Sequence, residues 1–159
     1  MNQPFRFAQG EKGFSLVESI LVLSIAGLLA LAAMPKDDPL VPLNLDAAAR
    51  RVTADLRYAQ DMATTSSEAH GFRVTGNSTY EVYNVVTGAI VDSPYTHELM
   101  QEDLGESYGN MVFASLAYQI EFDDEGKPSL GGGTIIQVTN GSSMRQIEIT
   151  TQSGYVRLF

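Results

Sequence analysis

The chain has 159 residues and a net charge of −9 at pH 7, with 10 Lys and Arg against 19 Asp and Glu. That length suits one domain with an appendage, and the acidic balance argues against a basic groove for nucleic acid. The absence of cysteine excludes disulfides, thiolate metal sites, cysteine nucleophiles and a lipoprotein anchor.

The apolar residues are concentrated near the N-terminus, where residues 14–34 hold only five Ser, Glu or Gly residues among 21. As a helix this run is about 31 Å long, which matches a hydrocarbon core of about 30 Å. Arg6 and Lys12 precede the run, and Asp37 and Asp38 follow it. The positive-inside rule therefore predicts a transmembrane helix with residues 1–13 in the cytoplasm and the remainder outside.

Glu18 lies inside this apolar run, where a carboxylate costs about 2.5–3.5 kcal/mol at the helix centre and less near an end. Such a residue is usually paired and functional. Two simpler interpretations leave it without a role. The run could be a secretory signal peptide cut near Ala32, after the small-residue site Ala30-Leu-Ala32, which would release a soluble exported binding protein. It could also be an uncleaved anchor.

The segment Lys12-Gly-Phe-Ser-Leu-Val-Glu18 resembles the signal of type IV prepilins and type II secretion pseudopilins. In that superfamily a membrane peptidase cuts after the glycine and methylates the new N-terminal phenylalanine. The resemblance implies cleavage between Gly13 and Phe14, N-methylation of Phe14 and a cleaved leader of residues 1–13. It also makes Glu18 the fifth residue of the mature chain and places Pro35 at the position of a helix-kinking proline.

The physical role expected of Glu18 is assembly. When helices stack, its carboxylate can neutralise the Phe14 amine of a neighbouring subunit, and only the correct register supplies that partner. The run also contains four small or polar residues, Ser15, Ser19, Ser24 and Gly27. They would allow close approach of neighbouring helices, or they reflect the ordinary composition of membrane helices.

The three prolines of residues 35–43 predict a break after the apolar run. A second, amphipathic helix is predicted over residues 44–68. Its apolar residues step by three or four and form one stripe: Leu45, Ala48, Val52, Leu56, Ala59 and Ala63. The adjacent Arg50 and Arg51 have acidic neighbours, which indicates a solvated helix face rather than a basic patch.

Residues 70–159 are predicted to form an exported, periplasmic β-domain. The segments 71–75 and 79–85 alternate around Gly76-Asn-Ser78, which predicts a hairpin. Residues 93–110 are acidic and predict an irregular surface loop. Further strands are predicted at 112–114, 118–122, 134–139, 145–151 and 155–158. The expected fold is α+β and pilin-like: a long N-terminal helix, half transmembrane and half amphipathic, packed on a C-terminal antiparallel sheet domain.

Three segments extend the resemblance to the minor pseudopilin H (GspH/FimT) family: residues 55–63, 122–126 and 147–156. The resemblance implies a minor subunit, inserted in the bacterial inner membrane and then assembled into a periplasmic pseudopilus or pilus, most simply for type II protein secretion. The implied partners are prepilin peptidase, other minor and major pilins, the inner-membrane assembly platform and secreted protein substrates. No cofactor and no enzymatic activity are implied.

A minor pilin for DNA uptake, of the FimT type, is the main alternative with the same fold. Proteins of that type carry C-terminal arginines that bind DNA phosphates. Arg145 and Arg157 are present here, but Tyr155 stands where those proteins tend to have another arginine. Because residues 36–159 contain 8 basic and 17 acidic residues, nucleic acid is not the expected partner.

No candidate catalytic or metal site emerges from the remaining residues. His70 and His97 are the only histidines, and neither has a metal-binding or catalytic-triad spacing. The acidic segment Asp123-Asp-Glu125 lacks the EF-hand pattern, which favours a solvated turn over a calcium site.

Overall fold

The computed structural model describes residues 15–32, 40–94 and 96–159, with the side chains of 30–32 and 40–42 left out. The chain divides into two compact units, Met1–Asp37 and Asp38–Phe159. Within the first unit, helix α1 covers Leu16–Ala32, inside the predicted apolar run. In the described ranges, no helix has both the length and the hydropathy required to cross a bilayer.

The second unit begins with helix α2, Leu40–Ser66, which starts four residues before the predicted start at residue 44. Residues 40–43 are therefore helical, although a proline-rich break was predicted there. Pro42 is tolerated because it lies in the first turn, where backbone N–H groups have no intrahelical acceptor. The helix ends two residues earlier than predicted, since Ser67 adopts a positive φ of 55°.

Nine strands and one short helix follow α2 in the described ranges up to residue 159. In chain order they are β1 His70–Val74, β2 Thr79–Asn84, β3 Gln101–Asp103, α3 Leu104–Tyr108, β4 Val112–Phe113, β5 Gln119–Phe122, β6 Pro128–Leu130, β7 Ile135–Thr139, β8 Met144–Ile149 and β9 Val156–Leu158. They form a five-stranded sheet in the order β3-β2-β1-β5-β6 and a four-stranded sheet in the order β4-β7-β8-β9. Every pairing between these strands is antiparallel, so the predicted α+β class is confirmed.

The core lies between α2 and the inner faces of both sheets. All six residues of the predicted apolar stripe are buried. They meet alternate residues of the strands, including Phe72 of β1, Ile120 of β5 and Ile147 of β8. Because burial of apolar area is the main favourable term in folding, the stripe fixes which face of α2 turns towards the sheets.

Residues 101–108, which lie in the predicted irregular loop 93–110, form regular elements. They include β3, which pairs with β2, and the one-turn helix α3. Asp103 caps α3, because its Oδ1 accepts the N–H groups of Gly105 at 2.8 Å and Glu106 at 3.3 Å. Leu104 is fully buried beside the cap and holds the segment on the core.

Candidate functional site

Helix α1 presents apolar side chains on all sides. Every side chain described between residues 15 and 29 is exposed, and the large apolar ones are 49–76% exposed. The two serines of α1, Ser19 and Ser24, are satisfied within the helix, because their hydroxyls donate to the carbonyls of Ser15 at 3.4 Å and Ile20 at 2.8 Å. An apolar helix of this kind requires an apolar environment, which lipid or other helices can supply.

Glu18 is the only ionisable residue between positions 15 and 32. It lies in the first turn of α1, where the helix dipole favours a negative charge. Because α1 offers no cation within that range, a compensating positive charge has to come from outside the described helix. The other predicted processing and kink residues, Gly13, Phe14 and Pro35, lie outside the described residues.

The C-terminal half of α2 is fastened to two glycine turns by one side chain. Gln60 Nε2 donates to the carbonyl of Gly126 at 2.7 Å and to that of Ser153 at 3.0 Å. A Cβ on Gly154, which has a φ of 66°, would lie 2.8 Å from both Gln60 Nε2 and the Gly126 oxygen. These contacts bring together the three segments that carry the resemblance to the minor pseudopilin H family, and they explain why both turns need glycine.

Arg57 makes a further link from α2 to the last strand. Its Nη2 donates to the carbonyl of Val156 at 2.8 Å, and its guanidinium lies 6.0 Å from the ring centroid of Tyr155. Since β9 is an edge strand, this bond occupies a backbone acceptor that an edge strand would otherwise leave open.

A buried polar cluster that the sequence pattern did not predict joins α2 to β2 and β3. Asp55 Oδ2 accepts the Tyr80 hydroxyl at 2.6 Å and Arg51 Nε at 3.0 Å. Arg51 Nη2 also lies 3.7 Å from Glu102 Oε2. Asp55 is only 7% exposed. The Arg-to-Asp spacing of four residues was visible in the sequence, but burial of the pair depends on β2 and β3.

The environment of this cluster changes its ionisation. Burial raises the pKa of the Asp55 carboxyl above its usual range, and the hydrogen bonds and charge of Tyr80 and Arg51 offset part of that rise. Burial and the charge of Asp55 raise the pKa of the Tyr80 hydroxyl well above its usual value. The hydroxyl therefore stays a hydrogen-bond donor at neutral pH, and the cluster serves as a link between elements.

A second polar cluster lies on the outer face of the five-stranded sheet. The ring of Tyr83 covers Gly71, where a Cβ would lie 2.9 Å from its Cε1 atom. The Tyr83 hydroxyl donates to Glu121 at 2.6 Å, and the Arg73 guanidinium lies 4.3 Å from the ring centroid. Burial, together with the hydrogen bond to Glu121, raises the pKa of Tyr83 to about 12. These groups satisfy one another and stabilise the strand register.

The residues considered for metal binding or catalysis are dispersed in the second unit. His70 is buried, with Nδ1 2.8 Å from the carbonyl oxygen of Glu68. Asp123 Oδ1 accepts the backbone N–H groups of Glu125 at 3.1 Å and Lys127 at 2.8 Å, as expected of a turn. Among the described side chains, no group of three or more His, Asp or Glu residues could hold a metal ion.

No protein-family model matches the chain. The chain is 28% identical over 151 residues to the competence protein ComGD of Bacillus subtilis (strain 168), and the match covers 93% of each chain.

Two solved structures have the same fold. The type IV minor pilin FimU of Pseudomonas aeruginosa PAO1 superposes with a TM-score of 0.55 at 16% identity, covering 72% of this chain and 87% of that chain. The minor pseudopilin EpsH from the Type 2 Secretion System of Vibrio cholerae superposes with a TM-score of 0.53 at 14% identity, covering 73% and 96%. At such low identities, the superpositions show a shared fold and nothing further. Together with the sequence relative, they support the type IV pilin and pseudopilin superfamily that the N-terminal motif predicts.

Proposed function

We propose that this chain is a minor pilin subunit that assembles into a pilus-like filament through α1. The observation that carries the proposal is an apolar helix with one carboxylate, Glu18, ahead of a folded α+β unit. The pilin-like fold and the similarity to ComGD support it. The chain contributes packing surfaces, and other proteins supply the force for assembly. This proposal assigns it no enzymatic step.

Processing and membrane insertion belong to the same proposal. The chain is first inserted in the bacterial inner membrane through residues 14–34, with residues 38–159 on the outer, periplasmic side. Prepilin peptidase cuts after Gly13 and methylates Phe14. The helix then leaves the lipid for a bundle of other pilin helices above the assembly platform. Glu18 pairs there with the Phe14 amine of a neighbour and sets the register.

As the host system we propose a competence filament, ahead of a type II secretion pseudopilus or another type IV pilus. The sequence relative is named a competence protein, and its match covers nearly the whole of both chains. The likeness to the secretion-system pseudopilin EpsH is one of fold alone. The sequence similarity therefore favours a competence filament, whereas the motifs of the chain alone favour type II secretion, with DNA uptake second. In a secretion pseudopilus, the second unit would contact secreted protein substrates.

A competence role does not require this subunit to bind DNA itself, and we expect that it does not. Residues 38–159 contain 7 basic and 16 acidic residues, and Arg157 is paired with Glu148 at 3.0 Å. Because DNA affinity depends on the number of phosphates that lysine and arginine side chains neutralise, the fragment 38–159 should give no mobility shift with duplex DNA at physiological salt. A shift that weakens as salt is raised would instead identify this chain as the DNA-binding subunit.

A further inference from the structure

The turn between β7 and β8 holds the side-chain carbonyl of an asparagine by two hydrogen bonds. Asn140 Oδ1 accepts the backbone N–H groups of Ser142 at 2.9 Å and Ser143 at 2.7 Å. Donors on a carbonyl oxygen make its carbon a better target for a nucleophile, because they stabilise the oxyanion that the attack forms. Asn140 is half-buried and the next three residues are exposed, so water reaches this turn.

The backbone nitrogen of Gly141 can reach the Asn140 Cγ atom by closing a five-membered ring. Its N–H group donates to Thr139 Oγ1 at 3.0 Å, so the proton that it would have to lose already faces an oxygen. Glycine leaves this nitrogen uncrowded because it has no Cβ. A Cβ added to Gly141 would meet no atom of the described residues within 4 Å, so the turn has room to move. Asn140 is the only one of the six asparagines that precedes a glycine.

Asn84, the last residue of β2, provides a comparison within the same chain. Its Oδ1 atom also accepts two backbone N–H groups, at 2.9 Å and 3.0 Å, and its side chain is also half-buried. The residue that follows is Val85, however, whose β-branched side chain crowds the backbone nitrogen. That nitrogen also donates to the carbonyl of Ala69 at 2.9 Å, which holds it in place. The two carbonyls are bound alike, and the nucleophile is accessible at Asn140.

We propose that Asn140 deamidates spontaneously in the folded protein, with the Gly141 nitrogen as the nucleophile. This nitrogen forms a bond to Asn140 Cγ and gives up its proton to solvent. The Cγ–Nδ2 bond then breaks, and Nδ2 takes up a proton from solvent and leaves as ammonia. The resulting succinimide ring adds one water, which breaks one of its two C–N bonds. Breaking the bond to Cγ gives aspartate, and breaking the bond to the main-chain carbonyl carbon gives isoaspartate.

Either product changes the β7–β8 hairpin, and the inference does not rest on the filament function. Both products add one negative charge to a chain that is already acidic. Isoaspartate also inserts an extra carbon into the main chain between Thr139 and Met144, which are paired at the end of the hairpin. It thereby disturbs the hydrogen bond from the Asn140 N–H to the Ser143 carbonyl, which measures 3.2 Å. The tip of the hairpin should therefore change as the protein ages.

Peptide mapping of the full-length chain, purified in detergent and incubated at mildly alkaline pH, tests the proposal. Cleavage after glutamate yields the peptide 126–148, whose only asparagine is Asn140, and the peptide 82–98, whose only asparagine is Asn84. The mass of peptide 126–148 should rise by the difference between a hydroxyl and an amino group. Fragmentation should place the change at residue 140, with both aspartate and isoaspartate present. The mass of peptide 82–98 should stay unchanged over the same time.

Two variants and a free peptide separate the role of the turn from general decay. Gly141→Ala should slow the conversion about tenfold, because its methyl group crowds the nucleophile. Asn140→Gln should stop it, since the longer side chain would have to close a larger ring. A synthetic peptide of residues 126–148 shows that the conditions permit the reaction. If that peptide converts and the folded chain does not, the turn protects Asn140 and the proposal is wrong. Equal conversion at Asn84, or a rate that Gly141→Ala leaves unchanged, would likewise overturn it.

Discussion

Glu18→Ala should abolish entry of the chain into filaments while leaving cleavage after Gly13 intact. Glu18 is the one ionisable residue of the described α1, and its expected partner in the filament is the Phe14 amine of a neighbour. Removing one member of a buried ion pair costs about 3–5 kcal/mol, so incorporation should fall by about 100-fold or more. Quantitative immunoblotting of sheared filaments against whole cells measures the change, and the mass of the membrane-bound chain reports cleavage.

Two further variants separate charge from shape and from general damage to α1. Glu18→Gln keeps the size of the side chain but not its charge, and it should fail in the same way as Glu18→Ala. Ser19→Ala is the matched control, because the Ser19 hydroxyl bonds within its own helix and its loss should leave incorporation near normal. Normal incorporation of Glu18→Ala would contradict the pairing role.

Asp55→Ala should lower the free energy of unfolding of the fragment 38–159 by about 3 kcal/mol. The substitution leaves the buried Tyr80 hydroxyl without its acceptor and removes the nearer partner of Arg51. Urea denaturation followed by circular dichroism measures the loss. Asp61→Ala, an exposed aspartate of the same helix, is the control and should cost less than about 0.5 kcal/mol. Equal costs for both variants would show that the buried cluster does not link α2 to the sheet.

The Asp55 carboxyl should make the free energy of unfolding change with pH in the direction opposite to that expected for the aspartate of a well-solvated ion pair. Burial raises the pKa of Asp55 in the folded state above its unfolded value. The folded state therefore binds the proton more tightly, and this group adds stability as the pH falls through its raised pKa. Relative to Asp55→Asn, which does not titrate there, the wild-type fragment should gain stability between pH 7 and pH 4. A difference that is constant or falls over that range would contradict the raised pKa.

Periodicity predicted the elements whose side chains alternate over many residues. The stripe from Leu45 to Ala63 in α2 and the β1–β2 hairpin were predicted because each buries a regular set of positions. In contrast, β3 and α3 have three and five residues, too few to show a period. Pairing with β2 and the Asp103 cap order these two elements. Because neither element shows a period, the acidic composition of the region was the remaining signal, and it predicted a loop.

The parts of the site that escaped prediction depend on distant residues. Asp55 flanks the apolar stripe and resembles a solvated aspartate in sequence, but Tyr80, 25 residues later, buries it. The acidic segment 123–125 was predicted as a solvated turn, but the contacts of Gln60 with Gly126 and Ser153 span 66 and 93 residues. No local pattern encodes such contacts. The N-terminal motif could be identified from the sequence because all of its residues lie close together in the chain.

The N-terminus of the chain recovered from sheared filaments tests the central claim most directly. Intact-mass analysis and N-terminal sequencing should show a chain that begins at methylated Phe14, has lost residues 1–13 and copurifies with other pilin subunits. A soluble chain that begins at Ala33 and is absent from the filament fraction would contradict the account, because it would make residues 14–32 part of a discarded signal peptide.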